Sequence, residues 1–331
     1  MKLKKQVKVI LFLLFCLFAL LISTKLISKE EKNIEIRGLI THNQTKYDSQ
    51  LKLMATGDIL IHRPIYLSAH DEDSDTYDFH NVFEKIKPLL KSADITIGNF
   101  EGTIRPQYPY LQYPVFNAPI EIVDAIKEAG YDIVSLANNH QIDSKGPGID
   151  STYYAFNDKG ISTIGTNMSE NQPILVKEVN GIKVAFLAYT FGFNGMEKTI
   201  TKQEYDLKLE PLLEKNIHED ILEAQKIADI IVVYPHMGVE YVLTPTTSQK
   251  ALYTKMIDWG ADIVLGNHPH VVQPTEIIEK DGQKKFILYS LGNFLSNQRL
   301  ESVNNIWTER GLIMEINIER KLGYPVAIES I

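Results

Sequence analysis

Cysteine is almost absent from this 331-residue chain, and the only one, Cys16, sits inside an N-terminal apolar run. Everything beyond that run lacks a thiol, which excludes disulfides and thiolate zinc sites there and leaves the fold to its apolar core. An excess of positive charge is also missing: 34 Lys and Arg stand against 42 Asp and Glu, a formal net charge of -8. Nucleic acid is therefore not an expected partner, because a phosphate backbone is gripped through basic side chains. A free polyanion is repelled at long range too, unless a local basic patch or a bound cation offsets the field. Low-complexity segments are lacking, and no break in composition marks a second domain. What remains, 44% hydrophobic and 23% charged residues, is ordinary globular composition.

The N-terminus stands apart. Lys2, Lys4, Lys5 and Lys8 precede an apolar run from Val9 to Ile22, and Lys25 interrupts it before Leu26 and Ile27. At ~1.5 Å per residue the uninterrupted run falls short of a ~30 Å hydrocarbon core, whereas Val7 through Ile27 reaches across with its flanking lysines snorkelling. A cleaved signal peptide has the same basic start but wants small residues at alternate positions, and Leu21-Ile22-Ser23 offers only one. Residues 1–28 are accordingly read as a signal-anchor forming one transmembrane helix. The positive-inside rule then places the rest on the extracytoplasmic side of the cell membrane. Residues 29–50, polar and charged, read as a linker, and residues 51–331 as one domain.

From Leu51 onward strands and helices alternate, the pattern of an α/β fold. Strands are expected at 51–56, 94–98, 132–137, 161–164, 183–190, 229–234, 262–266, 286–291 and 311–318, the last two forming an antiparallel part. Helices are expected at 82–92, 119–129, 148–159, 217–228 and 246–259. Ala129-Gly130-Tyr131-Asp132-Ile133-Val134 and Trp259-Gly260-Ala261-Asp262-Ile263-Val264 repeat one pattern of helix end, Gly cap, Asp and buried strand.

Six of the strand ends stop abruptly at polar residues: Gly57-Asp58 with His62 beyond, Asn99-Phe100-Glu101, Asn138-Asn139-His140, His236 with Glu240 beyond, Asn267-His268-Pro269-His270 with Gln273 beyond, and Gly292-Asn293. Carboxyl ends of strands are where open α/β sheets bind ligands. Asp58, Glu101, Asn139, His140, His236, His268 and His270 mix carboxylate, amide and imidazole, which suits Mn²⁺, Fe or Zn²⁺ better than Ca²⁺. Glu101 has two oxygens with which to bridge a pair of divalent ions, and His268 and His270 share a face if the backbone there is extended. Gly57 and Gly266 permit close backbone approach beside the site. Two adjacent ions polarise an ester oxygen and generate hydroxide at neutral pH, and a neutral histidine outside the metal shell protonates the leaving group. His62, His140 and His270 are the candidates for that role.

Taken in order, Gly57-Asp58, Gly98-Asn99-Phe100-Glu101, Ala137-Asn138-Asn139-His140, His236 through Tyr241, Gly266 through Gln273 and Tyr289 through Phe294 resemble the CapA family of capsule and poly-γ-glutamate synthesis proteins. That family in turn resembles the calcineurin-like metallophosphoesterases. The resemblance implies a four-layer α/β/β/α sandwich and a divalent, dinuclear metal site. It makes Asp58, Glu101, Asn139, His236, His268 and His270 ligands, Glu101 the bridge and His140 the acid, with His62 a second catalytic candidate. Asn99, Asn138, Glu240, Gln273 and Asn293 line the site. Two positions depart from the phosphoesterase pattern: Leu60 stands where a histidine is expected two residues after the first aspartate, and Glu101 replaces a bridging aspartate. The implied function is a membrane-anchored component of capsule or poly-γ-glutamate biosynthesis or export, with synthase or export subunits and an anionic polymer as partners. The alternative is a metal-dependent hydrolase of the cell envelope.

Overall fold

Unbroken apolar runs rich in Val and Ile make strands covered on both faces. Ile95–Phe100 and Ile230–His236 are buried at every residue. The computed structural model describes residues 48–331, so the expected anchor and most of the linker lie outside the described residues. No helix among the described residues is long and apolar enough to cross a membrane.

In chain order the first half comprises β1 (Ser49–Ile59), α1 (Arg63–Ser68), β2 (His70–Asp71), β3 (Thr76–Tyr77), α2 (His80–Phe83), α3 (Lys87–Leu90), β4 (Ile95–Phe100), α4 (Ile122–Ala129), β5 (Ile133–Ser135), α5 (Lys145–Asn157) and β6 (Ser162–Ile164). The second half comprises β7 (Leu175–Val179), β8 (Ile182–Thr190), α6 (Lys202–Lys208), α7 (Glu214–Ala224), β9 (Ile230–His236), α8 (Thr247–Trp259), β10 (Ile263–Leu265), β11 (Thr275–Lys280), β12 (Gln283–Leu288), β13 (Asn293–Leu295), α9 (Leu300–Val303), β14 (Ile313–Arg320) and β15 (Ala327–Ser330). One sheet has the order β15-β14-β1-β4-β5-β6, with β13 also beside β1. The other has the order β11-β12-β10-β9-β8-β7. The inner strands of each run parallel, and β7, β11, β14 and β15 are antiparallel to their neighbours.

The two-residue period of a strand sorts its side chains between layers. Ile230, Val232 and Tyr234 of β9 join Leu53, Ile97 and Ile133 of the first sheet in a core between the sheets. Ile231 and Val233 turn the other way, under Ile221 of α7 and Met256 of α8. On the far side, α4 and α5 lay Ile122, Ile126 and Phe156 over Met54 and Val134. The two sheets thus pack face to face with helices on their outer faces, a mixed α/β arrangement. Burying each such side chain contributes roughly 1.5–3 kcal/mol before entropy is counted.

The repeated Gly-x-Asp pattern has a defined task. Gly130 and Gly260 end α4 and α8 at φ 109° and 118°. The aspartates that follow accept a backbone N–H near the start of the neighbouring parallel strand: Asp132 from Thr96 at 2.9 Å and Asp262 from Ile231 at 2.8 Å. Asp94 and Asp229 do the same for Lys52 and Lys183, both at 2.8 Å. These bonds pin strand register at the end opposite the site.

Four expectations change. The helix at 82–92 is two short helices, because Pro88 in its middle has no N–H to give and its ring clashes with the preceding turn. The strand placed at 286–291 is β12, which is parallel to β10 and antiparallel only to β11. The edge strands β7, β11 and β15, half-exposed and punctuated by charge, were not expected at all. Strand β1 begins at Ser49, inside the segment read as linker.

Candidate metal centre

The parallel strands of both sheets deliver their carboxyl ends to one place. Asp58 comes from β1, Glu101 directly follows β4, and Asn139 and His140 follow β5. His236 ends β9, and His268 and His270 follow β10. The close approach needed here falls on glycine: a Cβ on Gly57 would lie 1.7 Å from the Gly292 carbonyl oxygen, and one on Gly266 would lie 2.0 Å from that of Tyr289.

Two groups of donors result, each with its ligand atoms within 4.8 Å of one another. Site A is Asp58, Glu101 and His270; site B is Glu101, His236 and His268. Glu101 belongs to both, and one of its oxygens lies 3.7 Å from His236 Nε2 and 3.8 Å from His270 Nε2. Asn139 Oδ1 converges on His236 Nε2 at 2.8 Å and adds an oxygen to site B. Asn99 spans the two sites, its amide nitrogen 2.8 Å from Asp58 Oδ1 and 3.3 Å from His236 Nδ1. His270 Nδ1 meets Asp58 Oδ2 at 3.0 Å.

The electrostatics suit cations. Both Glu101 oxygens are buried without a hydrogen-bond partner, and so is His268 Nδ1. Burial, then the adjacent Asp58, pushes the Glu101 pKa well above its ordinary 4.5. Burial also pushes His268 down to about 3 and His236 well below 6.5, which keeps both imidazoles neutral as ligation requires. The histidine pair is not extended: His268 and His270 have φ of 99° and 58°. Non-glycine residues held there cost on the order of 1–3 kcal/mol each and cluster at functional sites. The bend sets the two rings 6.0 Å apart. Phe191 lies over site B, 4.6 Å from the His268 ring and parallel to that of His236.

His140 stands beside the donors with a brace that sequence reasoning missed. Its Nδ1 donates to Asp143 Oδ2 at 2.7 Å, and the same oxygen accepts the Phe116 N–H at 2.6 Å. Asn194, also missed, accepts an N–H of the Asn139 side-chain amide on its Oδ1 at 3.2 Å and brings its own amide nitrogen to 3.5 Å from His140 Nε2. Asn138 accepts the His140 N–H at 3.1 Å and donates to the Phe100 carbonyl at 2.8 Å, tying this turn to the end of β4.

The other expected residues fall around this centre. His62 is in neither triad: Nδ1 accepts the Asn297 N–H at 3.2 Å, and its ring and that of His140 pack edge-on against Phe116. Burial pushes His62 down to about 4. Glu240 is exposed at the mouth, close enough for its charge to raise Glu101. Gln273 is spent on structure, donating to the Val242 carbonyl at 2.7 Å and accepting from Gln249 at 3.1 Å. Asn293 is the register partner of Asp58 on β13.

The chain is thus a mixed α/β sandwich in which two oxygen and imidazole triads share one carboxylate. Residues 52–298 match the family model for the bacterial capsule synthesis protein PGA_cap, and the chain belongs to that family. It is similar to the capsule biosynthesis protein CapA of Bacillus anthracis, at 33% identity over 259 residues, covering 76% of this chain and 61% of that one. It is similar to the PGA biosynthesis protein CapA of Bacillus subtilis (strain 168), at 30% identity over 265 residues, covering 77% and 66%. The chain thus spans less than two thirds of the length of either relative. Among solved structures, one from Staphylococcus aureus, provisionally assigned as a 5′-nucleotidase and complexed with alpha-ketoglutarate, has a TM-score of 0.52 at 16% identity, covering 85% of this chain and 53% of that one. A calcineurin-like phosphoesterase of Bacillus subtilis has a TM-score of 0.44 at 16% identity, covering 86% and 91%.

Proposed function

We propose that this chain works at the outer face of the cell membrane in making or exporting an anionic capsular polymer of the poly-γ-glutamate kind, through a centre holding two divalent cations. The names of its Bacillus relatives support the process. The observation that carries the centre is Glu101, buried, without a hydrogen-bond partner, and common to both donor triads. An ionised carboxylate so placed is costly in a bare protein, where burial favours its neutral form, and adjacent cations would offset that cost. The anchor, the extracytoplasmic placement and the synthase or export subunits as partners belong to the same proposal. Bound cations also give an acidic protein a means of holding a polycarboxylate.

A second reading, a metal-dependent hydrolase acting on a phosphoester, or on an amide or ester of the envelope, is favoured by the His140–Asp143 pair. Divalent cations at these sites supply Lewis acidity and activate water at neutral pH. Asp58, Glu101, Asn139, His236, His268 and His270 hold and orient them. Asp143 accepts the Nδ1–H of His140, so a doubly protonated ring would carry its second proton on Nε2 and could hand that proton to a leaving oxygen or nitrogen, returning to neutral. Phe191 restricts water over site B.

The test is metal content of the purified full-length chain by mass spectrometry, beside the His268→Ala/His270→Ala variant, together with turnover of a generic phosphodiester. Near-stoichiometric Mn, Fe or Zn lost in the folded variant supports the centre. Turnover abolished by His140→Ala supports the hydrolase; loss of polymer from cells carrying the metal-site variant, without measurable turnover by wild type, supports the first reading alone. A wild-type chain that takes up no metal after reconstitution sinks both.

A further inference from the structure

Among the described residues each triad counts three carboxylate or imidazole donors, and site B has Asn139 Oδ1 beside them. The flank of site A is formed by β13. Strand β14 pairs with β1 from Ser49 to Thr56, and β13 takes over beside Asp58, which is the parallel register partner of Asn293. On the opposite side Asp58 is in register with Asn99 of β4. Register partners project to the same face of a sheet, so Asn99, Asp58 and Asn293 form one row. Asn99 already spends its amide on Asp58.

Asn293 is set up differently. Both protons of its amide nitrogen are taken, one by Gln298 Oε1 at 2.9 Å and one by the Thr308 carbonyl at 3.0 Å. That fixes which end of the amide is the oxygen. Its Oδ1 is buried and has no hydrogen-bond partner, although Asn293 itself is only 5% exposed. Gln298 continues to the Tyr241 hydroxyl at 3.3 Å, and the Tyr241 ring lies 6.1 Å from that of His270. The network that orients Asn293 thus runs to the His270 side of site A. His62 has its Nδ1 occupied by the Asn297 N–H. A buried amide oxygen without a donor costs about 1–3 kcal/mol, and oxygen donors suit the divalent ions to which this donor set points. We propose that the side-chain oxygen of Asn293 is the fourth protein donor to the cation held by Asp58, Glu101 and His270. This rests on the two-cation reading above.

The test titrates metal-stripped full-length protein with Mn²⁺ alone, read by calorimetry and electron paramagnetic resonance. Two backgrounds separate the sites: His236→Ala leaves site A, and His270→Ala leaves site B. Asn293→Ala is expected to weaken Mn²⁺ binding roughly 10- to 100-fold at site A and to leave site B within about twofold. Asn293→Asp keeps the donor oxygen and adds charge while giving up the two N–H bonds to Gln298 and Thr308, and it is expected to tighten site A only. Equal losses in both backgrounds, or no loss at site A, overturn the assignment. Should Asn293→Ala fail to fold in chelator, Asn293→Asp decides: tighter binding at site A supports the assignment, and unchanged or weaker binding there overturns it. A wild-type chain that binds no Mn²⁺ overturns both the assignment and the reading beneath it, whereas two ions bound with Asn293→Ala indifferent overturns the assignment alone.

Discussion

Replacing Glu101 with Gln should make the metal-free protein more stable and the metal-loaded protein less so. Glu101 is 1% exposed, and neither of its oxygens has a hydrogen-bond partner. Leaving a buried polar group unsatisfied costs about 1–3 kcal/mol, and more for a charged one. An amide of the same shape removes the charge and can donate to Asp58. Relief of that size, at roughly 2–4 °C per kcal/mol for a large domain, raises the melting temperature in chelator by roughly 2–12 °C. The pH dependence has a definite sign. Burial raises the folded pKa of Glu101 above 4.5, so its stabilising contribution is complete below that value and is lost as pH rises toward the folded pKa. The advantage of Glu101→Gln therefore grows with pH from about 4.5 upward. With Mn²⁺ the order reverses, since ligand binding stabilises the wild type by about 2.7 kcal/mol per ion at roughly 100 times Kd, and the variant has lost the shared donor. Calorimetric melts of both proteins, in chelator and in excess Mn²⁺, supply the four numbers. A variant less stable than wild type in chelator would refute the reasoning, because it would mean that Glu101 is satisfied by protein alone.

Three further outcomes are expected. Asp143→Asn removes the acceptor of His140 Nδ1 and should lower any turnover by about 10²- to 10⁴-fold with bound metal unchanged by mass spectrometry. Gly57→Ala drives a methyl to 1.7 Å from the Gly292 carbonyl and should cost at least about 1–3 kcal/mol, read by denaturant titration; a neutral result would show that β1 and β13 separate freely. In a Glu101→Gln background without metal, stability should fall as pH drops below 6.5, because the unfolded chain takes up protons that His62, held down to about 4, and His268, held down to about 3, refuse. Melting temperatures that stay flat between pH 6.5 and 4 would contradict the burial of these rings.

Much of the centre was legible because it uses the part of the fold most visible in sequence. A buried β-branched run that stops at Asp, Asn or His announces both a strand and its carboxyl end, and Asp58, Glu101, Asn139, His236, His268 and His270 all follow such runs. Asp143 and Asn194 follow none. Asp143 lies in a turn three residues beyond His140, and Asn194 in a loop after β8 with φ of 52°, so only folding brings them to the site. The backbone of His268 and His270 was open from sequence, because a spacing of two does not encode the left-handed conformations that the turn around Pro269 adopts. The split at Pro88 was readable from the proline alone. The edge strands were not, since Thr275-Glu276-Ile277-Ile278-Glu279-Lys280 has the charge that protects an edge and weakens the pattern of a strand.

The donors come from both sheets: Asp58, Glu101 and Asn139 from one, His236, His268 and His270 from the other. Bound cations are then rivets through the sandwich, and the layers cannot slide or part without first releasing them. Unfolding of the loaded chain acquires a ligand-dissociation step, so its lifetime against heat or proteases is set by how long the ions stay. Chelation would shorten that lifetime even where the equilibrium structure is unchanged.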